Sequence, residues 1–256
     1  MKLINSRQNP FIKKIYKLSH TPDSYYKFQQ ILLEGDHLCR AYQEKIGSPQ
    51  AAIFCESSYN NPHLADLKPN NTDIYVLNDE LFQNISNLQS ATGIAYLINN
   101  EANKPIHPHI PTIILDRLQD PGNIGTILRS ASAFGFKQII AMKNTCALWA
   151  PKTLRAGMGA HFSLKIHEHC DTSHIEKLQI PILGTNLNAS LSLQETDIPA
   201  PCAWVIGHEG QGASQNLLQM CSKIIKINQP GGEESLNAAV ACSICLYASS
   251  QQKMNT

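Results

Sequence analysis

Three polar, glycine-bearing stretches in the second half of the chain carry the residue types that could do chemistry. Asp120-Pro-Gly-Asn-Ile-Gly-Thr-Ile-Leu-Arg129 sets Asn123 and Arg129 six residues apart. Ile206-Gly-His-Glu-Gly-Gln-Gly212 places Glu209 among glycines directly after an apolar run, where a carboxylate has no packing reason to sit. Ser235-Leu236-Asn237 opens a long apolar stretch. An amide, a guanidinium, a carboxylate and a hydroxyl can orient a polar substrate and assist a proton transfer. Each has a plainer structural reading beside that one. Asn123 and Ser235 are both suited to cap a helix, and Glu209 could be a solvated turn acid. One such turn is a connector; three in this order suggest loops converging on a shared pocket.

The elements that must position them form a regular alternation. Apolar strands are expected at Thr112–Leu115, Gln138–Met142, Ile180–Gly184, Ala203–Ile206 and Lys223–Ile227, with helices over Asn123–Phe134, from Pro151, over Ser214–Met220 and over Ser235–Ser250. Strand–helix alternation with continuous apolar strands predicts an α/β domain with a mostly parallel sheet and helices on both faces. Ligands in such sheets sit beyond the carboxyl ends of the strands, where Gly184, Gly207 and Gly231 all fall. Residues 1–98 read as a smaller α/β domain. It has a helix starting at Pro10, a strand over Phe28–Leu33, a helix over Asp36–Glu44 and strands at Ala51–Cys55 and Asp73–Leu77. A helix over Glu80–Ile85 follows, capped by Asp79. The proline-bearing segment 99–111 reads as a linker, leaving 112–256 as the second domain.

A length of 256 residues with 43% hydrophobic and 16% charged residues suits an ordinary globular core. No apolar run approaches the ~18 residues that span a bilayer, and the N-terminus lacks the apolar centre of a signal peptide. A cytoplasmic protein is expected, in keeping with eight cysteines scattered through apolar stretches. The net charge is only +1, but residues 1–20 hold Lys2, Arg7, Lys13, Lys14 and Lys17 with no acid. Segment 113–160 sets six cations, Lys152 and Arg155 among them, against Asp116 and Asp120. Local patches of this kind attract phosphates, which favours RNA as a partner.

The usual nucleotide cradles are missing: there is neither a G-x-x-x-x-G-K-S/T nor a G-x-G-x-x-G after a strand. The loops that follow the strands carry Glu209, Glu233 and Glu234 rather than cations. A pyrophosphate is poorly served there, whereas a neutral or cationic ligand with an adenine, such as S-adenosylmethionine, fits. Cys242-Ser-Ile-Cys245 has no second pair and reads as core thiols; His167-Glu-His169-Cys170 lacks a partner cluster. No metal is expected.

The three stretches resemble the motifs of the SpoU, or TrmH-like, branch of the SPOUT RNA methyltransferases. Asn123 and Arg129 match the first motif, Gly207, Glu209, Gly210 and Gly212 the second, and Ile227 with Ser235-Leu236-Asn237 the third. The segment Pro151–Ala160 is also similar to the family. The resemblance implies transfer of a methyl group from S-adenosylmethionine to a ribose 2′-hydroxyl, a homodimer, and a catalytic domain with a deep trefoil knot. It implies catalytic roles for Asn123, Arg129, Glu209, Ser235 and Asn237, with Glu209 holding Arg129 or an RNA-facing arginine patch. Donor contacts are implied at Thr185, Asn186, Gly207, Gly212, Ile227 and Leu236. Phosphate contacts are expected from Arg7, Lys13, Lys14, Lys17, Lys152 and Arg155. Two roles for Arg129 stand open. It could be the base by family analogy, or, since arginine stays protonated, it could orient the hydroxyl while another acceptor takes the proton. An arginine crossing between subunits is a further implication.

The first 98 residues resemble, through Ile4–Pro10 and Leu32–Leu38, a ribosomal-protein-like RNA-binding domain, which favours ribosomal over transfer RNA. The alternatives are a tRNA ribose methyltransferase and an inactive RNA-binding or assembly protein of the same fold. A metal-dependent nucleotide hydrolase is disfavoured by the absent P-loop. Three positions depart from the family: Asn228 and Gln229 replace a proline and a methionine after Ile227, and Gly157 replaces a frequent serine.

Overall fold

Ile12, Ile15, Leu18 and Ser19 recur at helical spacing and lie buried along one side of α1 (Pro10–His20), whose cap, Asn9, accepts from the Phe11 N–H at 2.9 Å. The computed structural model describes residues 1–88, 92–101, 104–232 and 235–253. These form two compact units, Met1–Ala102 with Trp149–Phe162, and Asn103–Leu148 with Ser163–Thr256.

In the first unit, α1, α2 (Ser24–Phe28), α3 (Asp36–Lys45) and α4 (Asp79–Ile85) accompany a five-stranded sheet. Its strands are β1 (Lys2–Ile4), β2 (Gln30–Glu34), β3 (Ala51–Cys55), β4 (Asp73–Leu77) and β5 (Ile94–Asn99), in the order β1-β4-β3-β5-β2. The β1-β4-β3 half is parallel, and β5 runs antiparallel to both β3 and β2. Two local expectations shift. Phe28 ends α2, and Gln29, at φ 50°, turns the chain so that the strand starts at Gln30. The cap of α4 is Asn78, whose Oδ1 accepts from the Leu81 N–H at 2.8 Å, so Asp79 is the first helical residue.

The second unit is built on β6 (Thr112–Leu115), α5 (Pro121–Ala133), β7 (Gln138–Met142) and, after an excursion of the chain, β8 (Lys165–Cys170). Omitting two short helices, the chain continues through β9 (Ile182–Thr185), β10 (Leu191–Ser192), β11 (Ala203–Ile206), β12 (Lys223–Lys226) and a last long helix over Ala238–Lys253. The seven strands lie in the order β10-β12-β9-β11-β6-β7-β8, every pair parallel. Ile113, Ile114, Leu115, Leu183, Trp204 and Val205 are fully buried, which is why these strands read as unbroken apolar runs. The C-terminal helix is pinned to the sheet by a satisfied polar pair: Trp204 Nε1 donates to Ser249 Oγ at 2.9 Å, and Ser249 donates to the Cys245 carbonyl at 2.8 Å. Cys242 and Cys245 are core thiols, as expected. Residues 104–111 belong to this unit; His107 N–H donates to the buried Gln138 Oε1 at 2.9 Å.

The excursion carries α6 (Pro151–Gly157), which packs into the first unit rather than with the domain that the sequence assigned it to. The reason lies in its apolar side: Thr153, Leu154 and Gly157 are buried there, and Phe162 meets Tyr42 edge-on at 5.3 Å. An added Cβ at Gly159 would lie 2.6 Å from that of Ala41, so only glycine permits the approach. Gly157 likewise has the His161 imidazole lying where a side chain would begin, which accounts for the missing serine.

In β8 the His167-Glu-His169-Cys170 string is pulled apart by a register shift opposite Ile140–Met142, with His169 at φ 56°. Glu168 accepts from the Leu148 N–H at 2.8 Å. Among the described residues no group of three or more His, Cys, Asp or Glu side chains could hold a metal ion. His167 is buried, its Nε2 has no hydrogen-bond partner among the described residues, and burial, helped by His107, His174 and Lys165, pushes its pKa down to about 4. The unfolded chain therefore binds a proton that the folded one refuses between about pH 6.5 and pH 4. Stability from this group is complete above about pH 6.5 and lost as pH falls towards 4. Urea midpoints measured across that window should fall in the wild type and flatten in His167→Asn; equal slopes would refute the assignment.

Candidate active site

The site is built from the carboxyl ends of β6 and β11 and the amino ends of two helices. Asp120 starts α5: its Oδ1 accepts from the Asn123 N–H at 2.7 Å and Pro121 occupies the first helical position. Asn123 is therefore not the cap, and its side chain is free for other bonds. Label the C-terminal helix of residues Ala238–Lys253 α9, with α7 (Thr172–Ile175) and α8 (Gln215–Gln219) before it. Its cap is not Ser235 but Asn237, whose Oδ1 accepts from the Ala239 N–H at 2.9 Å and the Val240 N–H at 3.3 Å. Ser235 stands exposed, and Glu233 and Glu234 lie outside the described residues.

These caps settle the direction of a hydrogen-bond chain. With Asn237 Oδ1 held by backbone N–H groups, its Nδ2 must face an acceptor, and it donates to Asn123 Oδ1 at 2.9 Å. Asn123 Nδ2 must then donate in turn, and it reaches Glu209 Oε1 at 3.1 Å. The carboxylate also accepts from the Asp120 N–H at 3.3 Å and the Gln119 N–H at 3.4 Å. All three motifs thus meet in one chain, Glu209–Asn123–Asn237. Burial pushes the Glu209 carboxyl up, but bonds from its own backbone, Asn123, Asp120 and Gln119 outweigh that and hold it below the usual carboxylate range.

The expected pairing of Glu209 with Arg129 is absent. Arg129 is exposed on α5, and among the described residues it makes no ion pair or hydrogen bond. Six residues separate it from Asn123, roughly 240° around a helix, so the two side chains leave from different faces. Charge suggested the pairing; helix geometry prevents it.

The Gly207–Gly212 loop is held by residues that the sequence reading passed over. Buried Asp116, just past β6, accepts from the Ser214 N–H at 2.6 Å and from Arg117 Nε at 3.2 Å. Arg117, at φ 60°, donates onward to Gln211 Oε1 at 3.1 Å and to the Gly212 carbonyl at 3.4 Å. His208 Nδ1 accepts from the Gly210 and Gln211 N–H groups at 3.0 and 3.3 Å, closing the turn. Gly207 cannot be replaced, because the backbone of Gly212 and Ala213 occupies the place of any Cβ. The signal for Arg117 was its position directly after a strand end, facing a loop with no other cation.

Of the remaining sequence candidates, Thr185 and Asn186 stand at the carboxyl end of β9 and Ile227 just past that of β12. Thr185 is half-buried opposite Ile225, and Asn186 turns back on its own chain, its Oδ1 accepting from the Asn188 N–H at 2.8 Å. Ile227 and Leu236 are half-buried. Asn228 donates to Ser192 Oγ at 3.1 Å, while the side-chain oxygen of Gln229 is buried with no partner among the described residues. In the first unit Arg7 is paired to Glu80 at 2.6 Å, Lys14 lies over the Phe11 ring, and Arg155 donates to the Asn87 carbonyl at 3.3 Å. Lys13, Lys17 and Lys152 are exposed.

Residues 111–247 match the SpoU rRNA Methylase family, and the chain belongs to that family. It is 30% identical to an uncharacterized tRNA/rRNA methyltransferase of Synechocystis sp., over 98% of this chain and 94% of that protein. It is 29% identical to the 23S rRNA (guanosine(2553)-2′-O)-methyltransferase RlmP of Bacillus subtilis, over 96% and 98% respectively. Among solved structures it shares its fold with an AdoMet-bound rRNA methyltransferase from Sinorhizobium meliloti (TM-score 0.85, 23% identity, 98% of this chain and 97% of that one). The SpoU methyltransferase AviRb from Streptomyces viridochromogenes aligns similarly (TM-score 0.87, 21% identity, 96% and 99%). No helix among the described residues is long and apolar enough to cross a membrane.

Proposed function

We propose that this protein transfers a methyl group from S-adenosylmethionine to a ribose 2′-hydroxyl of ribosomal RNA. The observation that carries the reading is the Glu209–Asn123–Asn237 chain, which joins the loop after β11 to the starts of α5 and α9. The donor supplies an electrophilic methyl on a sulfonium, leaving as a neutral thioether, so no metal is called for. The chain's own residues bind and orient. Arg129 is exposed on α5, where its planar fork can hold two oxygens at once. It orients the hydroxyl and a neighbouring phosphate, and the proton passes to water. Ribosomal RNA is favoured by the relatives named for 23S rRNA.

The donor site comprises Thr185, Asn186, Gly207, Gly212, Ile227 and Leu236. The unpaired Gln229 oxygen fits such a ligand: a buried acceptor without a donor costs about 1–3 kcal/mol, and an adenine amino group supplies what is missing. By calorimetry, wild-type protein should prefer S-adenosylhomocysteine over its inosine analogue, which lacks that amino group. Gln229→Met should lose about 5-fold of this preference, the scale of one neutral hydrogen bond. An unchanged preference would remove Gln229 from the site.

The reading includes a homodimer and the knot of the SPOUT fold. Val240 and Tyr247, 48% and 54% exposed, lie seven residues apart on one side of α9, an apolar surface suited to a second copy. The first unit is assigned to RNA binding, in a cytoplasmic enzyme.

The test is transfer of labelled methyl from S-adenosylmethionine to bulk RNA from a source strain lacking the protein. Label in an alkali-resistant dinucleotide of ribosomal RNA is the expected result. Label in transfer RNA corrects the substrate. No label despite measurable donor binding overturns the enzyme reading in favour of an RNA-binding protein.

A further inference from the structure

Beyond Pro10, the exposed positions of α1 are Lys13, Tyr16, Lys17 and His20, at i, i+3, i+4 and i+7, so they share one stripe of the helix. A solvated helix face ordinarily carries acids and bases together, but α1 and the nine residues before it contain no acid. Instead the stripe carries a preassembled aromatic pair. The Tyr16 and His20 rings stack at a centroid distance of 4.1 Å and an interplanar angle of 16°. His20 is locked in place, with Nδ1 2.7 Å from the hydroxyl of buried Ser19 and 3.0 Å from the Tyr16 carbonyl oxygen. Tyr16 remains 44% exposed.

The surrounding cations separate into two groups. Lys2 pairs with Asp73 and Arg7 with Glu80. Lys2 and Lys14 also cover the Tyr75 and Phe11 rings, which stack on each other at 4.1 Å. Those aromatic faces and charges are already used within the protein. Lys13 and Lys17 have no ion-pair partner among the described residues, and they flank Tyr16 on the same face. An ordered ring pair set between unneutralised cations is the chemistry that holds single-stranded nucleic acid: stacking takes the base, and ammonium groups take the phosphates.

We propose that the Tyr16–His20 pair is a stacking platform for an unpaired base of the RNA, with Lys13 and Lys17 holding adjacent phosphates. This rests on RNA being the substrate class. It adds a contact that depends on a base being free of its helix, which phosphate-binding lysines alone do not require.

Binding of the full-length protein to a short single-stranded oligoribonucleotide carrying 2-aminopurine tests it, since stacking quenches that base. Wild type should quench the fluorophore. Tyr16→Leu should abolish quenching and weaken binding roughly 5- to 100-fold, with the salt slope unchanged. Tyr16→Trp should retain both. Lys13→Gln with Lys17→Gln should instead lower the salt slope by about 0.7 per lost phosphate contact. Quenching and affinity unchanged in Tyr16→Leu, or lost equally in Tyr16→Leu and Tyr16→Trp, would overturn the platform. Methylation of bulk RNA without such quenching sinks the platform and leaves the enzyme reading standing. Quenching with no methylation of any RNA does the reverse.

Discussion

Arg129→Ala is expected to lower the single-turnover rate of methyl transfer by roughly 100-fold or more, the scale of misplacing a reacting group by about an ångström. Donor affinity should stay within about 2-fold, because Arg129 touches none of the loops assigned to the donor. Arg129→Lys should fail nearly as badly: lysine keeps the charge but lacks the planar fork that can hold a hydroxyl and a phosphate oxygen together. Stability should move little, since Arg129 is exposed and unpaired among the described residues. Quenched-flow transfer rates set beside calorimetric donor binding separate the two effects. Near-normal rates in both variants would remove Arg129 from the reaction.

The second large effect concerns the direction of the hydrogen-bond chain. Asn123→Asp is almost isosteric, yet it puts an acceptor against the Glu209 carboxylate where an amide donor belongs. Two carboxylates about 3 Å apart cannot both stay ionised comfortably, and the α5–loop junction must shift. A loss of about 100-fold in turnover is expected, with a stability change of only about 1 kcal/mol because Glu209 is exposed. The informative variant is the double one. Glu209→Gln in the Asn123→Asp background restores a donor–acceptor pair with its polarity reversed, and should recover about 10-fold of the lost rate. Additive losses would show that the two side chains act separately.

Much of this was legible in the sequence, for a physical reason. The strands at Thr112–Leu115, Gln138–Met142 and Ala203–Ile206 are buried on both faces, so their apolar runs report position directly. The three motifs announced themselves because glycine turns after such strands carry polar groups that packing does not need. What escaped was non-local. Two-residue β10 exists only through its pairing with β12. The caps at Asp120, Asn78 and Asn237 were displaced by one to three residues from those expected, since a capping oxygen is selected by backbone geometry and not by residue type alone. Pro121 could have corrected the first of these, as proline favours the first helical turn. Glu209 was expected to hold Arg129 or an RNA-facing arginine patch, whereas a neutral amide on the correct helix face is its partner.

The placement of α6 bears on how the molecule is made. A first unit completed only by Trp149–Phe162 cannot finish assembling when residue 102 leaves the ribosome. It must wait about 60 further residues, roughly 3–12 s at ordinary elongation rates. Through that interval the surface destined for Leu154 and Phe162 is uncovered, while β6, α5 and β7 of the other unit have already emerged. The two units are therefore interleaved in time as well as in sequence. A piece expressed from residue 103 onward would carry α6 with its apolar side permanently without a seat. For this chain a clean cut between the two units has no single peptide bond at which to fall.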